Sequence, residues 1–361
     1  MARILFAGQI DEGQTSLMRL RALARLGHTV HGVNTTAPWA RASWLARQIQ
    51  RHRQAGSIVD RINADVLRAA RELRPDLVWA EKQEYLWAET LHDLRKLGAR
   101  LVHFTPDPYF SLVWKQTRVM DEAMRAFDVL VYCKSYERPD YEALGRPVVY
   151  MPLGFCDETH RPVPSGDARW QSAVSALGGW EPHRQQMMHA VAASGLDVKI
   201  WGRSWDFLRD GRWTPRRHLI LRQLAGDEPF SIERDELLAR SLQGGEVYGD
   251  EYARALTGAK IGIGFLRKIC PEQHTTRTFE IPACGSLLLA ERTTEHQSLF
   301  EEGRDAEFFA SCEELVDKVR YYCRDEAARQ RVATAGYQRC MNSRYAYVHR
   351  LDAALRDVAA A

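Results

Sequence analysis

The chain lacks four things that would each have pointed to a definite chemistry. It has no Asp-x-Asp triplet, which excludes the metal-held diphosphate site that such a triplet builds. None of its seven cysteines forms a Cys-x-x-Cys pair, and no histidine is spaced to complete a zinc site, so no metal is expected. The seven read instead as reduced, buried thiols of a cytoplasmic protein. No Gly-x-Gly-x-x-Gly run is present: the loop Gly8 to Gly13 and the pair Gly262 and Gly264 both lack the spacing, which argues against a nicotinamide-dependent dehydrogenase. No apolar stretch approaches the ~20 residues a bilayer crossing requires, and the first apolar run is too short for a signal-peptide core. A peripheral membrane contact stays open. Charge of one sign is also missing in bulk, with 50 Lys and Arg against 47 Asp and Glu, so any basic partner surface has to come from local clustering.

What is present is ordinary globular material, 45% hydrophobic and 27% charged over 361 residues, enough for two domains. Apolar strand-length runs alternate with amphipathic segments. Strands are expected near residues 3–7, 28–33, 77–80, 100–104, 129–133 and 148–151, with helices between them, and this pattern predicts a parallel sheet covered on both faces. Residues 156–167 carry Pro162, Pro164 and Gly166 and few apolar side chains, which marks a linker. A second alternating series follows, with strands near 174–177, 198–201, 260–265 and 287–290. The expected architecture is therefore α/β: two Rossmann-like domains with parallel sheets facing a central cleft, an acceptor-side domain over 1–160 and a donor-binding domain over 165–340. Residues 341–361 are expected as a helix packing back on the first domain.

The most informative stretch is Glu272-Gln-His-Thr-Thr-Arg-Thr-Phe-Glu280, followed by Ile-Pro-Ala-Cys-Gly285 and an apolar strand. It joins a strand to a helix at the carboxyl edge of the second sheet, where open parallel sheets bind ligands. A carboxylate accepts two hydroxyl donors side by side, so each of the two acids suits a vicinal diol. Thr275, Thr276 and Arg277 stand where the helix begins, and backbone N–H groups with a guanidinium there suit a diphosphate. Thr276 has an equally ordinary reading as a helix N-cap, and Arg184 as a surface charge.

These residues resemble the donor-binding motif of retaining GT-B glycosyltransferases, in which seven residues separate two glutamates, and most closely the CgeB-like branch. The likeness extends over Leu177-Gly-Gly-Trp-Glu-Pro-His-Arg184, Ile200-Trp-Gly-Arg-Ser-Trp205, Val247 to Tyr252, Thr293 to Phe300 and Ser311 to Cys340. In the first half it touches only Phe104 to Pro108 and Tyr150 to Gly154. The resemblance implies a glycosyltransferase that moves a sugar from a nucleotide-diphosphate sugar to an acceptor hydroxyl, as a retaining, metal-independent enzyme with no cofactor besides its donor substrate. Glu280 would hold the donor ribose, Glu272 the sugar hydroxyls and Arg184 the diphosphate, with Gly178 and Gly179 letting the backbone approach. Gly202 and Arg203 join that donor-binding set. Where members of the larger retaining class carry Gly-Leu-Pro between the acids, this chain has His274-Thr-Thr-Arg277. Replacing Glu280 by Ala is expected to remove donor affinity and leave the fold intact.

On the first domain, His103 and Asp107 are expected just beyond the strand near 100–104, where they would face the cleft, as candidates for acceptor-side acid–base work. Pro-Asp-Pro is also an ordinary turn, and His103 an ordinary packed strand residue. Two basic tracts interleave arginines with tryptophans, one over residues 39–53 and one over 201–222. Such mixtures suit a nucleic acid, an anionic glycan or a membrane surface, and also a plain solvated face. Two rivals to glycosyl transfer follow: a nucleotide-sugar epimerase of the same architecture, and a nucleic-acid-directed transferase or binding module. The sequence names neither the sugar and base of the donor, nor the acceptor, nor the oligomeric state.

Overall fold

A computed structural model describes residues 1–112 and 115–361, and it divides the chain into two compact units: Met1–Cys156 with Tyr347–Ala361, and Asp157–Ala346. Each unit is a parallel sheet with helices on its faces.

The first unit has six strands: β1 (Arg3–Gly8), β2 (Thr29–Asn34), β3 (Leu77–Glu81), β4 (Arg100–Thr105), β5 (Val129–Tyr132) and β6 (Val148–Tyr150). Their order across the sheet is β2-β1-β3-β4-β5-β6, every neighbouring pair parallel. The central strands are buried on both faces, which is why they read as unbroken apolar runs rather than alternating ones. One face is closed by the helix Ser57–Leu73, whose Ile58, Val59, Ile62 and Val66 join Leu5, Val78 and Leu101 in a single core. On the other face the chain's last helix, Tyr347–Ala360, buries Tyr347, Leu351, Ala354 and Val358 and packs against the first helix, Thr15–Arg25. A buried ion pair sits there too. The Arg19 guanidinium donates to Glu81 at 2.5 and 2.9 Å and lies over the rings of Phe104 and Tyr347 at 5.3 and 5.0 Å.

The second unit has five strands: β7 (Ser172–Leu177), β8 (Val198–Trp201), β9 (Ala259–Gly264), β10 (Leu287–Glu291) and β11 (Glu307–Phe309), in the order β11-β10-β9-β7-β8 and again all parallel. Its core joins Val174, Ile261 and Leu287 of the sheet to Met188 and Val191 of the helix Pro182–Ala193 and to Val319 and Val332 of later helices. Two glycines allow close packing. A Cβ on Gly262 would meet Ile281 at 2.6 Å, and one on Gly336 would meet the Asp305 carbonyl at 2.5 Å. All seven cysteines are free thiols. Among the described residues no helix is long and apolar enough to cross a membrane.

Candidate functional site

In the second unit β8 lies on one side of β7, and the chain then crosses to β9 on the other side. The loops that leave β7 and β9 therefore diverge at the carboxyl edge, and a crevice at such a switch point is where doubly wound sheets place a ligand. The loop after β7 carries Gly178 and Gly179. The loop after β9 carries Glu272.

The loops after β7 and β8 interlock through backbone. Gly178 N–H donates to the Trp201 carbonyl at 2.9 Å, Trp180 N–H to the Arg203 carbonyl at 3.1 Å, and the Trp205 indole to the Gly178 carbonyl at 2.9 Å. The approach is so close that a Cβ on Gly202, at φ 153°, would sit 1.9 Å from the Gly178 carbonyl oxygen. Gly178 adopts φ 155°, and the Arg184 guanidinium lies only 3.2 Å from where its Cβ would be, a tight contact. Arg203 lines the same loop, its side chain 3.5 Å from a Cβ built on Gly179.

From the first turn of the helix Pro182–Ala193, Arg184 folds back onto this loop, donating to the Gly179 carbonyl at 3.0 Å and pairing with Glu181 at 2.8 Å. It is nearly enclosed, and its Nε has no hydrogen-bond partner among the described residues. Burial pushes the Glu181 carboxyl up to about 7, against the pull of Arg184 and Arg267 and with a further push from Glu272. Burial also holds Arg184 below the usual guanidinium value, and Arg277 and Arg267 add to this while Glu181 and Glu272 oppose it. Two acids and three arginines from the loops after β7 and β9 thus share one electrostatic neighbourhood.

The β9 loop is pinned at both ends. Arg267 N–H donates to the Glu272 carboxylate at 3.0 Å, and Leu266 N–H to Glu291, the last residue of β10, at 2.8 Å. Lys268 pairs with the same Glu291. The His183 ring contacts the Leu266 carbonyl at 3.0 Å, and burial beside Arg184 and Lys268 pushes its imidazole down to about 3, so it is neutral at ordinary pH.

Thr276 stands at the N-cap of the helix Arg277–Ala283, but its side chain does not cap it. Its hydroxyl accepts from the Arg277 guanidinium at 3.3 Å, and Arg277 N–H donates to the Thr275 hydroxyl at 3.2 Å. The N–H groups of Thr278 and Phe279 bond back to the carbonyls of Thr275 and Thr276. This alters the sequence expectation of a row of open donors: most of the turn's N–H groups are occupied, so what it offers an anion is chiefly the Arg277 charge and the field of the helix end.

Glu280 is buried, accepts a short hydrogen bond from the Tyr252 hydroxyl, and has the His160 ring 3.7 Å away. The Tyr252 hydroxyl is held far above its ordinary pKa, by burial first and Glu280 next. The Arg277 charge is felt at both His160 and Tyr252 as well as at Arg184. Because removing the Glu280 carboxylate would leave Tyr252 without its acceptor, an alanine there carries a folding cost that the sequence expectation did not include. Glu181, Arg267, Tyr252 and His160 were not selected from the sequence, although Glu181 and Tyr252 lie inside segments that carry the resemblance.

His103 and Asp107 belong to the first unit. His103 lies within β4 rather than beyond its end: it has no exposed surface, its ring packs on Phe127 at 5.1 Å, and neither ring nitrogen has a hydrogen-bond partner among the described residues. Burial pushes its imidazole down to about 3. This corrects the expectation that its side chain is presented at the sheet edge. The physical reason is register, since position 103 shares the inward side of β4 with Leu101 of the core. Asp107 is partly exposed in the following turn, with the ammonium groups of Lys115 and Lys82 at 3.1 and 3.2 Å. Nearby, Glu137 accepts from Tyr109 N–H at 3.0 Å and Ser111 N–H at 2.8 Å, which fixes that loop.

Two Rossmann-like parallel sheets, six-stranded and five-stranded, define a protein of the GT-B fold. Residues 184–356 match a family model described as glycosyl transferase-like, and the chain is a glycosyltransferase of that fold. The same architecture recurs over whole chains. HepE of Anabaena, solved with UDP and glucose, has a TM-score of 0.62 at 13% identity, with 100% of both chains covered. Sucrose-phosphate synthase from Thermosynechococcus elongatus gives 0.64 at 13% identity, again with 100% of both covered. An α-glucosyltransferase bound to UDP and a 13-mer DNA gives 0.63 at 14% identity, covering 98% of this chain and 99% of that one. At such identities the likeness is one of fold. No curated protein matches the sequence.

Proposed function

We propose that this glycosyltransferase takes its sugar from a nucleoside-diphosphate donor bound in the second unit, and that it works with retention and without a metal. The observation that carries this is the convergence of Arg184, Arg267 and Arg277 on Glu181 and Glu272 at the switch between β7 and β9. Breaking the bond between the anomeric carbon and the diphosphate oxygen develops negative charge on the leaving group, and preorganised cations in a water-poor site stabilise it. Arg184 and Arg277 are assigned to the diphosphate, with Gly178, Gly179, Gly202 and Arg203 forming the wall its backbone contacts require. Thr275 and Thr276 orient Arg277. Glu272 is assigned to the sugar hydroxyls and Glu280 to the ribose diol. Metal independence rests on the absence of an Asp-x-Asp triplet and on the three arginines, and retention on the resemblance to the CgeB-like branch of retaining enzymes. The neighbours solved with UDP favour a uridine nucleotide. Asp107 is proposed for the acceptor's proton. His103 is proposed as a packing residue.

The test is a thermal-shift screen against UDP, GDP, ADP and their sugar conjugates, followed by turnover with the conjugate that stabilises best. Binding to the native state alone raises the melting temperature. Glu272→Gln should keep the shift with the free diphosphate and lose turnover by about 100-fold or more, in line with loss of a charged contact to the reacting sugar. Undiminished turnover would remove Glu272 from the site, and donor consumed without any acceptor would replace transfer by epimerisation or hydrolysis.

A further inference from the structure

Both basic tracts fold into helices that turn apolar side chains to solvent. The helix Trp44–Arg53 buries none of its residues. Its inward side is held by polar contacts: the Gln50 carboxamide accepts from Ile58 N–H at 2.7 Å, and the Arg51 guanidinium lies 5.3 Å from the Trp39 ring. Trp44, Leu45, Gln48, Ile49 and His52 share the opposite arc of about 140°. Trp44, Leu45 and Ile49 are 68%, 60% and 44% exposed. In the second unit the helix Pro215–Ala225 repeats the arrangement. Arg216, Leu219, Ile220 and Gln223, spaced i, i+3, i+4 and i+7, form one exposed stripe, with Trp213 just before the helix. Trp213, Leu219 and Ile220 are 58%, 69% and 40% exposed.

Neither segment contains an acid. Residues 37–59 carry Arg41, Arg47, Arg51, Arg53 and His52, and residues 211–226 carry Arg212, Arg216, Arg217, Arg222 and His218. Of these, only Arg217 pairs with a carboxylate among the described residues, that of Asp210. Exposed aliphatic and tryptophan side chains amid unneutralised arginines oppose solubility unless something covers them. We infer that the two helices are surface anchors that insert their apolar faces into the headgroup layer of an anionic phospholipid membrane, their arginines meeting the lipid phosphates. Charge complementarity chooses anionic over neutral lipid. The aliphatic residues choose lipid over nucleic acid, because Leu45, Ile49, Leu219 and Ile220 bury readily among acyl chains but offer a base no ring to stack on. This inference is independent of the assignments at the donor site.

The test is flotation of the full chain with vesicles of phosphatidylcholine alone or mixed with phosphatidylglycerol. The protein should float with the anionic vesicles only, and less so as salt rises. Leu45→Gln with Ile49→Gln, and separately Leu219→Gln with Ile220→Gln, should each weaken binding, and the four together should abolish it. Arg216→Gln and Arg222→Gln should each lower the partition coefficient about fivefold. All these positions are exposed, so unchanged far-UV circular dichroism and an unchanged melting temperature are expected as the folding control. Equal binding to neutral vesicles, binding indifferent to the four glutamines, or retention on a DNA oligonucleotide with none on vesicles would each overturn the inference.

Discussion

Glu181 is the residue whose chemistry the sequence hid. It lies in an ordinary Trp-Glu-Pro turn, and nothing local marks it. Only the fold buries it against Arg184 and brings Arg267 and Glu272 from the loop after β9. With its carboxyl lifted from 4.5 to about 7, Glu181 is largely neutral at pH 6 and an anion at pH 8. The charged form competes with a diphosphate for Arg184. UDP binding should therefore weaken several-fold between pH 6 and 8, beyond the nucleotide's own titration, and Glu181→Gln should remove that excess in calorimetric titrations of the two proteins. Stability carries the same sign. A raised acid pKa in the fold contributes stability below its unfolded value that is lost as pH rises through about 7, so Glu181→Gln should gain on the wild type in melting temperature as pH rises from 5 to 8. His103 has the opposite sign. Its imidazole is held neutral down to about 3, so its contribution is present above the ordinary 6.5 and is lost as pH falls below that. His103→Leu should stabilise the chain at pH 8 by ~1–3 kcal/mol, the cost of unpaired buried polar atoms, and by more at pH 5. Loss of turnover at pH 8 in that variant would restore His103 to catalysis.

At the scale of elements, the strands were legible because parallel sheets bury them whole and so impose apolar runs; β1, β3, β4, β9 and β10 fall within a residue or two of their expected bounds. Strand β11, three residues long, and the helix Thr294–Leu299 are too short to show a period. The helix Ser57–Leu73 opens after Gly56 at φ 120° without a side-chain cap, so no capping residue marks its start in the sequence. The motif Glu272 to Glu280 was legible as spacing. Its partners Tyr252 and His160 were not, because they arrive from other elements. The interlocked loops after β7 and β8 give the sharpest element-scale expectation. In Gly202→Ala the new methyl meets a backbone oxygen that cannot rotate away, so both loops must separate. That variant should lose more than ~3 kcal/mol of stability, and its nucleotide binding with it. Gly195→Ala, also at positive φ (80°) but with nothing within 4 Å, should cost only ~1 kcal/mol. Chemical denaturation of the pair separates collision from backbone strain, and equal losses would mean that the loop contact is not what requires Gly202.

At the scale of the whole chain, the second unit is one continuous segment, whereas the first is closed by a helix that follows the second unit in the sequence. The first sheet therefore cannot complete its core until the second unit has been synthesised. Tyr347, Leu351, Ala354 and Val358 must dock on the helix Thr15–Arg25, and the Tyr347 ring must cover the buried pair of Arg19 and Glu81. Uncovering a buried ion pair exposes one face of it to water and removes apolar packing at the same time, so the loss falls on the first unit. Calorimetry should resolve this. A chain ending at Ala346 should show its first-unit transition lowered by ten degrees or more, or absent, while the transition that a nucleoside diphosphate raises stays where it is in the full chain. If truncation instead lowers the nucleotide-sensitive transition by the same amount, the last helix supports both units as one cooperative body, and the two cores do not fold independently.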